Sequence, residues 1–313
     1  MNLLFGEICS LPTEQRNEAT ESIDVANARE ILERINDEDA KVASAVRAEI
    51  PNIERAVEAV VARFRHGGRL IYAGAGTSGR LGVVDASECP PTFGASPEMV
   101  QAIIAGGEQA VFRAQEGAED LPENGIKAIA NLDVNEHDSV CGIAASGRTP
   151  FVRGALDEAR RRGSYTIMIS TNTPENLATL GICADVMICP QVGPEVIAGS
   201  TRMKSGTAQK LVLNMISTAS MIRLGKTYGN IMVDLQITNA KLRERAIGIL
   251  LSIGGVKQYE DAEKLLDAAN GHVKTALVMA IADTDAESAN KLIGQSDGFI
   301  RRAIESFDRR KRR

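Results

Sequence analysis

Hydrophobic residues recur every three or four positions between residues 42 and 64, which is the spacing of an amphipathic helix. The positions are Val42, Val46, Ile50, Ile53, Val57, Val60 and Phe64. Pro51 should kink or divide this helix. Gly67 and Gly68 should end it, because glycine readily adopts the left-handed conformation of a helix cap. The apolar stripe is long, so we expect part of it to pack against a second subunit; the alternative is that the stripe covers only its own sheet.

The pattern changes after residue 69, where short apolar runs alternate with helical stretches. The runs cover residues 70–73, 100–105, 139–144, 165–170 and 185–189. The stretches between them are long enough for crossover helices, so neighbouring strands can run parallel. Near-continuous apolar strands are typical of a parallel sheet with both faces covered. The pattern therefore predicts an α/β fold, namely a three-layer α/β/α domain with a five-stranded parallel sheet.

The remaining segments on either side of this domain are predicted to be helical. We place an N-terminal helical segment at residues 1–49, the α/β domain at 50–236 and a small all-helical C-terminal domain at 237–313. Glycines at 254–255, 271 and 298 should separate the C-terminal helices. Thr284 and Glu287 have the spacing of a capping box, in which each side chain satisfies a free backbone N–H.

Composition narrows the class of protein. The chain has 313 residues, a formal net charge of −5, 44% hydrophobic and 25% charged residues, as in an ordinary soluble globule. No apolar run approaches the ~18 residues of a membrane span, and the N-terminus lacks the basic start of a signal peptide. We therefore expect a cytoplasmic protein without a membrane partner.

Cysteines, histidines and charge argue against metal and nucleic-acid sites. The five cysteines form no CxxC pair and only three histidines occur, so we expect reduced thiols and no metal. The first sixty residues hold 6 basic and 13 acidic side chains, the opposite of a DNA-reading head. Tryptophan is absent and aromatic residues make up 4%, which disfavours a base-stacking platform. No nucleic-acid partner is predicted.

A glycine-rich loop follows the first strand, at residues 74–80 (GAGTSGR; the first glycine loop). Its G-x-G-x-x-G pattern before a helix is typical of anion binding by backbone N–H groups. A dinucleotide site would require an acidic residue ~20 positions further on. The second strand instead leads into Gly106, Gly107 and Glu108. The hydroxyls of Thr77 and Ser78 suit a terminal phosphate better, although a tight turn without a ligand remains an alternative.

A second loop of similar composition follows the third strand, at residues 146–150 (SGRTP; the second glycine loop). Thr149 suits a helix N-cap and Pro150 the first helical position. Ser146, backbone amides and the helix dipole could together hold a phosphate dianion. Capping alone would also explain Thr149 and Pro150. Ligands of open α/β sheets bind at the carboxyl ends of the strands, where both loops should lie.

These motifs resemble those of a known family. The two glycine loops resemble the phosphate loops of sugar isomerase (SIS) domains. Residues 193–210 (GPEVIAGSTRMKSGTAQK) are similar to a signature shared by glucokinase regulatory proteins and N-acetylmuramic acid 6-phosphate etherases. Residues 85–93 (DASECPPTF) and 116–120 (EGAED), together with 13–17 and 224–234, are similar to the etherases in particular. The resemblance covers nearly the whole chain.

The resemblance implies a SIS fold and a reaction. An enzyme of this family cleaves the D-lactyl ether of N-acetylmuramic acid 6-phosphate, in the recycling of cell-wall amino sugar. The products are N-acetylglucosamine 6-phosphate and D-lactate. The resemblance implies no metal or organic cofactor, a small sugar phosphate as the binding partner, and a homodimer.

The resemblance also assigns residues. Glu88 would be the acid that protonates departing lactate, in an apolar neighbourhood of Cys89, Pro90 and Pro91, and Glu119 would be the base at C2. The residues implied in sugar and phosphate binding are Gly76, Thr77, Ser78, Gly79, Ser146, Gly147, Arg148, Thr149, Glu195, Ser200, Thr201 and Lys204.

Several alternatives stay open. Spacing alone does not exclude Asp85, Glu116 or Asp120 as catalytic carboxylates. A sugar-phosphate-binding regulator without turnover would share the fold, and it would be expected to add an effector surface. A nicotinamide-dependent dehydrogenase is disfavoured, because the acidic ribose-binding residue is missing.

Overall fold

The computed structural model describes residues 11–235, 237 and 239–311. Contacts within the chain divide it into two compact units. The sheet unit contains the described residues up to Ser87 together with Glu98–Ser217. The helical unit contains Glu88–Pro97 together with the described residues from Thr218 onward. The boundaries expected at 49/50 and 236/237 stay a prediction.

Five parallel strands form the sheet, as predicted. They are β1 Leu70–Gly74, β2 Val100–Ile104, β3 Ser139–Ile143, β4 Tyr165–Ile169 and β5 Val186–Ile188. Their spatial order is β2-β1-β3-β4-β5. Every strand end lies within one residue of the predicted run, because strands buried on both faces appear in a sequence as short apolar runs.

Helices connect the strands of the sheet unit. In chain order they are α1 Ala28–Asp39, α2 Val42–Ala48, α3 Ile50–Arg65, α4 Gly76–Phe93, α5 Gln109–Phe112, α6 Pro122–Asn131, α7 Pro150–Arg161, α8 Pro174–Thr179 and α9 Lys204–Arg223. The helices α4 and α9 begin in the sheet unit and end in residues of the helical unit. Short 3₁₀ turns occur at Pro12–Glu14, Glu18–Thr20, Ile23–Val25 and Ala118–Asp120.

The sheet is covered on both faces, which gives the predicted three layers. A Cβ added to Gly142 of β3 would lie 2.7 Å from Val152 of α7. A Cβ added to Gly82 of α4 would lie 3.4 Å from Ile143 of β3. Because consecutive residues of a strand point to opposite faces, α7 and α4 cover opposite faces of the sheet.

The predicted amphipathic helix is present as two helices. Pro51 lies in the first turn of α3, so it divides the segment as expected. Gly67 has a φ of +78° beyond the end of α3. Except for Ile50, the stripe is buried within its own chain, from Val42 at 1% exposed to Phe64 at 7%. The expectation that this stripe packs on a second subunit is therefore wrong, because the chain's own side chains cover it.

The helical unit contains a short hairpin and five further helices. The hairpin pairs β6 Thr227–Tyr228 with β7 Ile231–Met232. The helices are α10 Ala240–Ile253, α11 Tyr259–Ala268, α12 Val273–Ala282, α13 Ala286–Gly294 and α14 Ile300–Lys311. They enclose a separate apolar core that includes Leu250, Leu266 and Leu277. The glycines predicted to separate helices lie in the connections.

The cap of α13 differs from the prediction. The N-cap is Asp285, whose carboxylate accepts a hydrogen bond from the Ser288 N–H at 2.7 Å. The predicted capping box of Thr284 and Glu287 is therefore one residue out of register. Both Thr and Asp are good N-caps, and the sequence offers them side by side.

Among the described residues, we find no helix with the length and apolar character needed to cross a membrane.

Candidate active site

The strand order makes the connections that follow β1 and β3 run in opposite directions across the sheet. The chain passes from β1 to β2 on one side and then returns to β3 on the other side of β1. Connections that diverge from two neighbouring parallel strands leave a crevice at their carboxyl ends, where ligands of such sheets bind. The first glycine loop follows β1 and the second follows β3, so both loops flank this crevice.

The first glycine loop brings a strand end close to a helix start. Cβ atoms at Gly74 and Gly79 would each lie under 3 Å from atoms of the other residue, so both must be glycine. Gly76 begins α4 with a φ of +52°. The Gly79 N–H bonds to the Ala75 carbonyl at 3.1 Å. The preceding N–H groups, including those of Thr77 and Ser78, have no acceptor within the helix and suit an anion.

The hydroxyl of Ser78 forms a hydrogen bond with a side chain of α9. Ser78 is buried, and its Oγ lies 2.9 Å from Oε1 of Gln209 on α9. Gln209 is also buried, at 1% exposed. The neighbouring Gly206 packs near Thr77, since a Cβ there would lie 3.5 Å from the Thr77 methyl group. The start of α9 therefore supports the first glycine loop.

The second glycine loop also depends on one glycine. Gly147 has a φ of +74°, and a Cβ there would lie 2.0 Å from Leu177. The Ser146 hydroxyl accepts from the Arg148 N–H at 3.3 Å. Thr149 is the N-cap residue of α7, but its side chain makes no capping hydrogen bond. Capping therefore does not account for the threonine hydroxyl.

Polar residues after β4 hold the second loop in place. Asn172 Nδ2 donates to the Ser146 carbonyl at 2.9 Å. The Ser170 hydroxyl donates to the Ala145 carbonyl at 2.8 Å. Thr171 contacts Ser205 at 2.9 Å, which connects this support to the start of α9. This polar run was not predicted, although three consecutive polar residues directly after a buried strand are a visible signal in the sequence.

Glu119 lies beside the first glycine loop. The 3₁₀ turn Ala118–Asp120 places it on the wall of a cavity of about 210 Å³, together with Gly76, Arg80 and Glu116. Glu119 is exposed to solvent, as is Glu116. The structure therefore brings one predicted catalytic carboxylate and one predicted phosphate loop to the same cavity, and Glu116 remains a second carboxylate there.

Glu88 lies on α4, in the part assigned to the helical unit. Its side chain is exposed, so Cys89, Pro90 and Pro91 do not bury it in this chain. The expectation of an apolar neighbourhood around Glu88 is wrong, because this position of α4 faces solvent. One turn earlier, Asp85 is buried.

The carboxylate of Asp85 is occupied by hydrogen bonds. It accepts from the hydroxyl of Tyr72 at 2.8 Å, the amide of Asn214 at 2.7 Å and the hydroxyl of Ser217 at 3.1 Å. These donors lie on β1 and α9, so Asp85 joins α4 to both. Such an environment suits a structural carboxylate better than a catalytic one.

Two residues of the 193–210 signature are structural in this arrangement. The Glu195 carboxylate is fully buried and accepts from the N–H groups of Lys204 and Ser205, both at 2.9 Å, which caps the N-terminus of α9. Lys204 is 1% exposed and donates to Glu38 of α1 at 2.5 Å and to the Val192 carbonyl at 2.8 Å. The substrate contact predicted for these two side chains finds no support in their contacts.

The Glu38–Lys204 pair has a clear electrostatic signature. Burial alone would raise the pKa of Glu38, but hydrogen bonds from Lys204 and Lys41 outweigh it and lower the pKa to about 2. Ser200 and Thr201, the other predicted residues of the signature, lie just before α9 and are partly exposed. They remain accessible, unlike Glu195 and Lys204.

A second cavity lies within the helical unit and has a volume of about 780 Å³. Asp234 accepts there from Lys274 at 2.8 Å and from Lys226 at 3.1 Å. Burial lowers the pKa of Lys274. The positive charge of the nearby Lys226 also lowers this pKa, whereas the Asp234 carboxylate raises it. The cavity is larger than the one beside Glu119, but neither glycine loop lines it.

Metal ligands are not clustered in the part of the chain that the structure describes, where no three His, Cys, Asp or Glu side chains gather in a way that could hold an ion.

Comparison with known proteins adds a family. Residues 52–160 match the family described as the glucokinase regulatory protein N-terminal SIS domain, and residues 229–274 match the C-terminal lid domain of glucokinase regulatory protein. The N-acetylmuramic acid 6-phosphate etherase of Salinibacter ruber is 58% identical over 303 residues, covering 96% of this chain and 96% of that protein. The etherase of Caldanaerobacter subterraneus is 52% identical, covering 95% and 96%.

A solved phosphoheptose isomerase from Francisella tularensis overlaps 62% of this chain and 98% of its own, with a TM-score of 0.46 and 17% identity. The two etherases above, by contrast, are full-length relatives at more than 50% identity.

Proposed function

Because this chain belongs to the N-acetylmuramic acid 6-phosphate etherase family, we propose that it cleaves the D-lactyl ether of N-acetylmuramic acid 6-phosphate. The products are N-acetylglucosamine 6-phosphate and D-lactate. The proposed role is the recycling of amino sugar from the cell wall.

The substrate's own chemistry decides which protein groups are needed. In the open-chain sugar, the C2 hydrogen is acidic because it is adjacent to the C1 aldehyde. A base removes that proton, the C2–C3 double bond forms, and the C3–O bond to lactate breaks. An acid protonates the departing oxygen, and water then adds at C3 while C2 regains a proton. The sum is one ether and one water converted into two alcohols, with no oxidant or reductant.

The observation that carries the proposal is the crevice between β1 and β3. Two hydroxyl-bearing glycine loops flank it: the first runs into the opening turn of α4, which begins at Gly76, and the second leads directly into α7. Helix N-termini favour a phosphate dianion through free N–H groups and the helix dipole. We assign the 6-phosphate to Gly76, Thr77, Ser78 and Gly79 of the first loop. From the second loop, the residues assigned to it are Ser146, Gly147, Arg148 and Thr149.

Glu119 is our assignment for the base at C2. Its support is the cavity that it shares with Gly76, which places a carboxylate beside the phosphate loop. Glu116 of the same cavity is the alternative base. Glu88 is our assignment for the acid at the lactyl oxygen, and it rests on the family motif alone. Because Glu88 is exposed in the single chain, a partner or bound substrate must supply any apolar surroundings for its carboxyl group.

Ser200 and Thr201 are proposed to contact the sugar, since they are partly exposed at the start of α9. Glu195 and Lys204 then support the site indirectly, by fixing the N-terminus of α9.

We further propose a homodimer. Phe112 is 88% exposed and Val84 is 57% exposed, and both belong to the sheet unit. The proposal rests on the family resemblance, and these two side chains are its candidates for the interface. Sedimentation at micromolar concentration tests this, because an active species at the 33.5 kDa mass of one chain would contradict it. The free cysteines Cys89, Cys141, Cys183 and Cys189 support a reducing compartment, and we propose the cytoplasm.

The decisive experiment supplies N-acetylmuramic acid 6-phosphate to the full chain without any added cofactor and measures D-lactate. Running the reaction in deuterated water also reports exchange at C2. Glu119→Gln should reduce lactate release about 10²–10⁴-fold, the usual contribution of a general base, and should abolish C2 exchange.

Glu123→Gln is the matched control, since Glu123 is an exposed carboxylate in the first turn of α6, four residues from Glu119. It should retain activity. Tight binding of the substrate by wild-type protein without lactate release would contradict the etherase and favour a sugar-phosphate-binding regulator. Normal exchange in Glu119→Gln would transfer the role of base to Glu116.

A further inference from the structure

We propose that Gln209 is a positioning residue for the 6-phosphate: its side-chain amide donates to the Ser78 oxygen and thereby directs the Ser78 hydroxyl hydrogen toward the phosphate. The inference deepens the proposed function and rests on it. It concerns a residue of α9 outside the glycine loops.

The first observation is a buried donor that is left over. Gln209 is 1% exposed, and its Oε1 accepts the hydroxyl of Ser78 at 2.9 Å. Within the described part of the chain, its Nε2 has no hydrogen-bond partner. A buried N–H group without a partner costs free energy comparable to a lost hydrogen bond. The side chain therefore pairs Ser78 at the expense of its own N–H groups.

The second observation is that Ser78 lies where an anion is expected. It belongs to the first turn of α4, where N–H groups lack acceptors within the helix. A phosphate dianion offers only acceptor oxygens. A hydroxyl whose hydrogen already points at Gln209 meets such an oxygen with its lone pairs, which is repulsive. The Ser78 hydroxyl can donate to phosphate only if its hydrogen is released from Gln209.

Rotation of the Gln209 amide by 180° releases it. The two ends of an amide are nearly equal in size, so the rotation needs no other movement. Nε2 then donates to Ser78 Oγ, and the Ser78 hydroxyl donates to the phosphate. The amide oxygen takes the buried position, where an unpaired carbonyl oxygen is tolerated better than an unpaired N–H. Bound phosphate therefore favours the rotated orientation of the amide.

Glutamate at this position would behave differently from an apolar side chain. A carboxylate can only accept, so Gln209→Glu would hold the Ser78 hydrogen away from the phosphate and add a negative charge beside it. Gln209→Met keeps the length of the side chain and neither accepts nor donates, so the Ser78 hydroxyl stays free but undirected. If Gln209 had only a structural role, each variant would lose as much affinity for unphosphorylated ligands as for phosphorylated ones.

The test measures binding by titration calorimetry on the full chain, with N-acetylglucosamine 6-phosphate and N-acetylglucosamine as probes. For the phosphorylated probe at pH 7.5, we expect about tenfold weaker binding in Gln209→Met and at least about 100-fold weaker binding in Gln209→Glu, in line with hydrogen bonds to charged groups. The ratio of wild-type to Gln209→Glu affinity should decrease toward pH 5, because the introduced carboxyl gains a proton. Gln258→Glu, an exposed glutamine at the start of α11, is the matched control and should bind like wild type.

A double-mutant cycle with Ser78→Ala supplies the result that a structural role would not produce. If Gln209 acts through Ser78, adding Gln209→Met to Ser78→Ala should cost no further affinity. A further tenfold loss would overturn the inference, as would Gln209→Glu binding within threefold of wild type. If Gln209→Glu does not fold, the Gln209→Met cycle decides alone. Wild-type protein that binds the probe without releasing lactate from the substrate would contradict the etherase assignment and leave this inference standing.

Discussion

Replacing Lys204 with methionine should destabilise the sheet unit strongly and in a pH-dependent way. Lys204 and Glu38 form an ion pair with both side chains under 5% exposed. Methionine retains most of the lysine's length and apolar contacts but removes the charge and its hydrogen bonds. Glu38 would keep its hydrogen bonds with Asn17 and with Lys41, whose side chain is 59% exposed.

The magnitude follows from the pKa of Glu38, which is about 2 in the fold and 4.5 for an unperturbed glutamate. A difference of this size corresponds to about 3 kcal/mol of stability at neutral pH. Because the folded pKa is lowered, this stability is present above pH ~4.5 and fades as the pH falls toward 2. Removing one partner of a buried pair typically costs ~3–5 kcal/mol. We expect the lower end of that range, since Lys41 remains.

Urea unfolding of the full chain, followed by circular dichroism at pH 7 and pH 3, measures the effect. The difference between wild type and Lys204→Met should shrink by about 2 kcal/mol at pH 3, where the unfolded carboxyl is already protonated. The double variant Glu38→Met/Lys204→Met should recover most of the loss, because no buried charge is left unpaired. A loss below about 1 kcal/mol at pH 7, or an equal loss at both pH values, would refute the reasoning. A stable Lys204→Met protein with a greatly raised KM would instead support the substrate contact that the sequence predicts for Lys204.

Glu88→Gln should reduce lactate release by about 10²–10⁴-fold while preserving C2 hydrogen exchange, because an amide cannot protonate the leaving oxygen; near-normal turnover in a folded variant would remove Glu88 from the mechanism. Gly147→Ala should lower the melting temperature and weaken binding of N-acetylglucosamine 6-phosphate, since the new Cβ would lie 2.0 Å from Leu177 at a φ of +74°. The cost is expected to be about 1–3 kcal/mol, and an unchanged melting temperature would contradict it. Asp285→Ala should lower the free energy of unfolding in urea by about 1 kcal/mol, whereas Thr284→Ala should change it by no more than about 0.5 kcal/mol. A larger loss in Thr284→Ala than in Asp285→Ala would show that Thr284 is the N-cap.

The parts of the fold that were predictable depend on local pattern. The runs at 70–73 and 139–144 contain only apolar or small residues, and they became β1 and β3 within one residue at each end. The two glycine loops follow those strands directly, so their place at the carboxyl edge follows from parallel pairing. The hairpin of β6 and β7 was missed, because two-residue strands carry no detectable alternation.

The roles of particular side chains depend on contacts between distant parts of the chain. Nothing near Lys204 in the sequence indicates that its partner is Glu38, 166 residues earlier. Gln209 looks like any polar residue on the flank of a helix until its contact with Ser78, 131 residues away, is known. At residues 284–285 the difficulty was different, since two adjacent residues satisfy the same local rule and only the structure shows that Asp285 is the cap. Site residues are thus harder to predict than strands.

The partners of the N-terminal segment also bear on how the protein folds as it is made. Asn17 donates to the carbonyl of Pro194 and Thr20 to that of Val196, while Glu38 pairs with Lys204. At a synthesis rate of ~5–20 residues per second, these acceptors and donors follow the N-terminal segment by about 10–35 s. The five strands emerge from the ribosome within that interval. Docking of residues 17–38 should therefore be a late step of folding, because the carboxylate of Glu38 has no ion-pair partner in Lys204 until that residue has been synthesised.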